Sequence, residues 1–245
     1  MKHQYVGDIS DYRKYALLRA LSWGGANRIG VCWMLTPDDV SSDGGKLAYL
    51  QQPDRYRQFD PQLFDILAHA ASESDRRRLQ TIEDSGIVPA ATYFNELLPD
   101  ERAARAAYMA GCLTTFEAAD IVFFDPDNGL EVSLAKGRKN SSKFLYLDEI
   151  THFYGTGKSL LIYQHFPRVE RRTFLGTSIE RLRSSAADAL IWTFATAHVA
   201  FFLVVHPVAA AATEACGLWE GGFIAGRYMG SSRRSGSIID SAIHA

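Results

Sequence analysis

Asp125, Pro126, Asp127, Asn128 and Gly129 stand in a row directly after the apolar run Ile121–Phe124. Asp125 and Asp127 are one residue apart, so on a turn both can face a cation, with Glu131 and Glu149 as further donors. Oxygen-rich sets of this kind suit Mg²⁺ or Mn²⁺ and hydrolytic phosphate chemistry. The plainer alternative is turn chemistry alone for Asp-Asn-Gly. His165, beyond the run 159–163, has the residue type of a general base or ligand, and a hydrogen-bonded histidine closing a strand is its plain alternative. His206 offers the same choice. Lys136, Arg138, Lys139 and Lys143 form a basic, Gly/Ser-rich loop of the kind that contacts phosphates. Arg168 follows the His165 segment directly, whereas Arg171, Arg172, Arg181 and Arg183 read as the polar face of a helix. Gly-Thr-Gly-Lys-Ser at 155–159 lacks the upstream glycine and the preceding strand of a phosphate loop.

The elements that must position these groups alternate between strand and helix. Helical spacing runs over 11–21, capped by Asp8 or Ser10 and ended by Trp23-Gly24-Gly25. Residues 28–35 read as a buried strand and end in Thr36-Pro37-Asp38-Asp39. Pro61 opens a helix after Asp60, residues 88–94 make a short strand, and Asp100 caps a long helix. Further along, 143–154 are helical, 159–163 a strand, 169–187 an amphipathic helix, 197–205 a strand, 208–216 an Ala-rich helix and 222–228 a last strand. Continuous apolar strands with almost no hairpin signals predict a single α/β domain over 1–230, with a mainly parallel, doubly wound sheet. The Ser/Gly/Arg-rich 231–245 is expected to be a mobile tail. Four strand ends carry polar groups, at Asp38, Asp125, His165 and His206. In an open parallel sheet such ends share the edge where ligands bind.

The sequence of elements from the Asp-Pro-x-x strand onward resembles the C-terminal half of a Rossmann-like S-adenosylmethionine-dependent methyltransferase. Asp125-Pro126-Asp127-Asn128 is similar, in its first two positions, to the Asp-Pro-Pro-Tyr-type tetrapeptide of enzymes that methylate amino groups of nucleic-acid bases. That resemblance implies that Asp125, with the Asp127-Asn128 turn, orients an exocyclic amine toward the donor, with His165 on the same edge. The opening residues 3–21 resemble in layout those of the ribosomal-RNA adenine-N6 methyltransferase family. The resemblance implies that His3, Tyr5, Gly7, Asp8, Asp11 and Lys14 fold over the active edge. Thr36 and Asp38 stand where such enzymes carry a Gly-rich donor loop, which makes Thr36, Asp38, Asp8 and Lys14 the implied cofactor contacts. Tyr5, Arg138, Lys139 and Arg168 are the implied substrate contacts. Asp127 and Asn128 replace the proline and aromatic of the tetrapeptide, which removes a stacking face for a base.

Bulk composition narrows the classes. The chain has 245 residues, 47% hydrophobic and 22% charged, with a formal net charge of −2. These are the proportions of a globular domain, and not of an overall basic protein that coats nucleic acid; a local basic groove is compatible with them. Cys32, Cys112 and Cys216 are sparse and unpaired in spacing, as expected in a reducing cytosol. The polar N-terminus lacks a signal peptide's apolar stretch, and the apolar stretch 195–216 is interrupted by His206-Pro207, so a cytoplasmic protein without a membrane span is expected. The leading expectation is a methyltransferase-like enzyme acting on an amino group of nucleic acid, with S-adenosylmethionine as donor. A Mg²⁺- or Mn²⁺-dependent phosphodiesterase or nuclease on the same edge and a non-catalytic Rossmann-like binding module are the alternatives.

Overall fold

The computed structural model describes residues 1–39, 44–73 and 77–208, and the backbone of 226–227. The central sheet holds β1 (Ile29–Cys32), β2 (Ala91–Phe94), β3 (Ile121–Phe124), β6 (Ser159–His165), β7 (Leu190–Ala195) and β8 (Val199–Val205), with the two-residue β9 (Gly226–Arg227) at one end. Its order is β2-β1-β3-β6-β8-β7-β9. Pairing is parallel from β2 through β6 and antiparallel between β6 and β8, β8 and β7, and β7 and β9. β4 (Gly129–Leu130) and β5 (Phe144–Leu145) form a separate small parallel pair.

Period-two side-chain alternation sends each central strand into two cores. Val31, Phe123, Leu161 and Leu203 pack on α1 (Ile9–Ser22), α3 (Pro61–Ser72) and α4 (Leu79–Asp84). Cys32, Phe124, Ile162 and Phe202 pack on α5 (Arg102–Thr115), α6 (Leu147–Tyr154) and α7 (Arg171–Ser185). Burial on both faces is why these strands read as unbroken apolar runs. The short α2 (Pro53–Tyr56) precedes α3. The result is a mixed α/β architecture with a mainly parallel sheet and helices on both sides.

The local signals place most helix starts. Asp8 caps α1 by accepting from the Ser10 N–H at 2.8 Å, and Asp60 caps α3 by accepting from Leu63 N–H at 3.0 Å. The cap of α5 is Glu101 instead of Asp100. Asp100 is turned to the 140–142 loop, accepting from the backbone of Asn140 and Ser142.

One strand differs in direction from the expectation. Residues 190–195 form β7, which Thr196-Ala197-His198 joins to β8 as a hairpin. Thr196 closes that turn, its N–H donating to the Val199 carbonyl at 2.8 Å and its Oγ1 accepting from Val199 N–H at 3.2 Å. β8 therefore runs against β6, and its end lies at the opposite edge of the sheet. There the His206 N–H meets Ser159 Oγ at 3.1 Å. His206 is not on the edge shared by Asp125 and His165, whereas His198, at the hairpin turn, is. Of the helix expected over 208–216 only residue 208 is described; the tail over 231–245 lies outside the described residues, as does all of the 222–228 strand except 226–227. Among the described residues no helix is long and apolar enough to cross a membrane.

Candidate functional site

The carboxyl ends of β1 and β3 lie side by side, Cys32 opposite Phe124, and the Asp125 N–H donates to the Cys32 carbonyl at 3.1 Å. This register brings Met34 and Thr36 against the Asp125–Asn128 turn. Met34 has φ +45, a left-handed conformation that costs a side-chain-bearing residue energy, and it is fully buried. The chain thus makes a glycine-like bend at the β1 exit without a glycine.

Around this bend the first residues of the chain are drawn in. The Met1 ammonium donates to the Asp125 carbonyl at 2.9 Å and the Met34 carbonyl at 3.3 Å, and it is ion-paired with Asp127 Oδ1 at 2.8 Å. Thr36 Oγ1 donates to the other Asp127 oxygen at 2.7 Å, and the Thr36 N–H donates to the Met1 carbonyl at 2.9 Å. Burial raises the Asp127 carboxyl, but the Met1 ammonium and the Thr36 hydroxyl outweigh it and hold the group below its ordinary value.

Deeper in, Lys14 Nζ bridges Asp125 Oδ2 at 2.6 Å and Asp11 Oδ1 at 2.8 Å, all three side chains being nearly inaccessible. The same ammonium lies 3.6 Å from the Met1 Sδ and 5.5 Å from the centre of the Tyr163 ring. Burial lowers Lys14, yet Asp11 and Asp125 together reverse this and push it above its ordinary value. Burial raises Asp11 from 3.8 to about 6, with Lys14 opposing. Asp11 Oδ2 and the Tyr15 hydroxyl are buried without a hydrogen-bond partner.

The second half of the turn is fixed by Gln164, which the sequence presents only as a strand-end residue. Its Oε1 accepts from Leu130 N–H at 2.8 Å, and its Nε2 donates to the carbonyls of Asn128 at 3.0 Å and His165 at 2.7 Å. Gly129, at φ +110, lies so close that any Cβ would overlap the Gln164 amide. Asn128 itself is exposed at the tip.

The residues singled out from sequence divide accordingly. Asp125, Asp127, Thr36 and Lys14 come together in one buried cluster. Asp8 stays beside it as the α1 cap and also accepts from Lys46 N–H at 3.1 Å. Asp38 is exposed and accepts from Gln4 N–H at 3.3 Å, while Tyr5 lies under Lys2, whose ammonium pairs with Asp39. His165 and Arg168 are exposed two strands from β1, at the β6 exit. Arg138 and Lys139 are exposed in a loop tied to Asp100 at the start of α5. In that loop Lys136 turns to Asp148 and Glu149, beside a cavity of about 770 Å³ between α5 and α6. Of the basic loop, Lys136 lines that cavity. Lys158 of Gly-Thr-Gly-Lys-Ser donates to the Glu117 and Ala119 carbonyls after α5, a structural cap.

A divalent-cation site does not fit this arrangement. The carboxylates of Asp125 and Asp127 are each taken up by an ammonium, and among the described residues no group of three His, Cys, Asp or Glu side chains stands together as a metal cage. Neither a protein-family model nor a curated protein matches the chain.

Proposed function

We propose that this protein is a methyltransferase-like enzyme with a Rossmann-like, doubly wound sheet, acting on an amino group of nucleic acid at the β1–β3 edge. The observation that carries the reading is the grip on a primary ammonium there: the Asp125 and Met34 carbonyls and the Asp127 carboxylate surround the Met1 amine. Three acceptors, one of them charged, suit a cation better than a neutral amine. The Met34 and Asp125 carbonyls and the Asp127 carboxylate would hold the α-ammonium of S-adenosylmethionine once Met1 is displaced from them. When bound, S-adenosylmethionine supplies an electrophilic methyl group.

The chain's own residues then have distinct tasks. The Asp125 carboxylate neutralises Lys14 and fixes the turn, so that its main-chain carbonyl points at the amine. Asn128 is exposed on the same turn, where its carboxamide oxygen accepts from a substrate amino group. His165, exposed at the next strand exit, is the nearest imidazole in sheet order to receive a proton.

Calorimetric titration with S-adenosylmethionine tests this. Binding by the native chain, and loss of about tenfold or more in affinity for Asp127→Asn with the fold retained by circular dichroism, is the expected result. A second reading, a non-catalytic binding module, is favoured by the internal neutralisation of Asp125, Asp127 and Lys14. Absence of any donor binding, with oligonucleotide binding intact, selects it.

A further inference from the structure

A cleft of about 470 Å³ opens at the β6 exit, between the Phe166–Arg171 segment and the β7–β8 turn. The Phe166 N–H donates to the His198 carbonyl at 3.1 Å, which fastens the two walls together. His165, Arg168, Arg171 and His198 line it, all exposed. Its one carboxylate, the exposed Glu170, caps α7, accepting from Arg172 N–H at 2.8 Å and Thr173 N–H at 2.6 Å.

Five arginines are paired with carboxylates: Arg19 with Asp60, Arg28 with Asp120, Arg57 with Asp65, Arg105 with Glu149 and Arg181 with Glu131. Among the described residues neither Arg168 nor Arg171 has such a carboxylate partner. The Arg171 guanidinium rests on the Phe166 ring, 5.4 Å from its centre, which orders the fork before any ligand arrives. Slight desolvation of the exposed ring, with Lys46, Arg13, Arg171 and His165 adding like charge, holds the His198 imidazole below its ordinary value. Two cationic side chains on one concave wall raise the local potential and draw an anion toward it.

We propose that this cleft is a phosphate-binding subsite, Arg168 and Arg171 gripping the oxygens of a phosphate ester and His165 and His198 flanking them. It deepens the reading above by placing the phosphate of a nucleic-acid substrate on the same sheet edge as the Asp125–Asn128 turn. Two carriers share the chemistry: a phosphodiester within a strand and the terminal phosphate of a free nucleotide.

The test uses the full chain, with a short single-stranded RNA followed by fluorescence anisotropy and uridine monophosphate followed by calorimetry. Both arginines are exposed, so Arg168→Ala/Arg171→Ala is expected to fold, with Arg57→Ala as a paired surface control. The expected result is a loss of about tenfold or more in affinity for the double variant. The salt slope for RNA is expected to fall by about 1.4, with the control unchanged. Loss for RNA alone identifies a strand phosphodiester, and loss for both probes identifies any phosphate ester. Equal affinities of native and double-variant chains, or no binding of either probe to the native chain, would overturn the proposal. S-adenosylmethionine titrated into the same samples separates the two questions, since the cleft stands or falls on the phosphate probes whatever the donor does.

Discussion

Lys14 carries its charge where water does not reach, and it is tolerable there only because Asp11 and Asp125 both face it. Two carboxylates for one ammonium leave Asp11 the weaker partner, and burial moves its carboxyl from 3.8 to about 6. The sign of the consequence follows from proton counts. Between about pH 4 and pH 6 the folded chain holds a proton on Asp11 that the unfolded chain has released. The contribution of Asp11 to stability is therefore largest below pH 4 and falls as pH rises through 6, by on the order of 3 kcal/mol. Asp11→Asn removes this component. Urea unfolding of both chains across this window should show the native free energy declining relative to the variant, and parallel curves would contradict the assignment. Asp127 contributes in the opposite sense: held below its ordinary value, it stabilises above the unfolded carboxylate range and loses that contribution as pH falls.

At the scale of elements, the β3 turn is held by a contact that depends on a missing side chain. Gly129 adopts φ +110 with the Gln164 amide directly over it, and that amide satisfies Leu130 N–H and the Asn128 carbonyl. Gly129→Ala adds backbone strain and displaces Gln164, freeing the buried Leu130 N–H and the part-buried Asn128 carbonyl. The expected cost is about 2–4 kcal/mol. Thermal unfolding measures the cost, and loss of amide protection at Leu130 in hydrogen exchange locates it; a variant with native stability and protection would show that the turn is held by other means. The β7–β8 hairpin is the second decisive element. By reversing β8 it carries His206 to the far edge and brings His198 beside His165.

At the scale of the molecule, the sheet is a partition between two cores, and β8 serves both. Phe201 and Leu203 face the α1–α3–α4 side, while Phe202 and Val204 face α5–α6–α7. Phe202 is fully buried, with neighbours on every side. Phe202→Ala leaves a cavity that packed helices close only in part, for an expected loss of about 3–5 kcal/mol in denaturant unfolding. A loss under about 1 kcal/mol would mean that this core repacks freely.

Apolar runs, helical spacing and capping residues are local quantities, so the α/β class, a cap for α1 at Asp8 or Ser10, the start of α3 at Asp60-Pro61 and the polar turn after β3 were legible in the chain alone. The sequence also placed Asp125, Asp127 and His165 at strand exits, because a buried strand has to end where its backbone meets polar partners. Strand direction is not local: an apolar run reads the same in either orientation, and only the short Thr196–His198 turn and its pairing reversed β8. Nor could spacing reveal that Lys14, 111 residues from Asp125, would reach it, or that Gln164 would brace a turn on another strand. Those contacts exist because parallel pairing brings distant strand exits to one edge. There tertiary structure decided which charges are spent on each other, at Asp125, Asp127 and Lys14, and which are left facing outward, at Arg168 and Arg171.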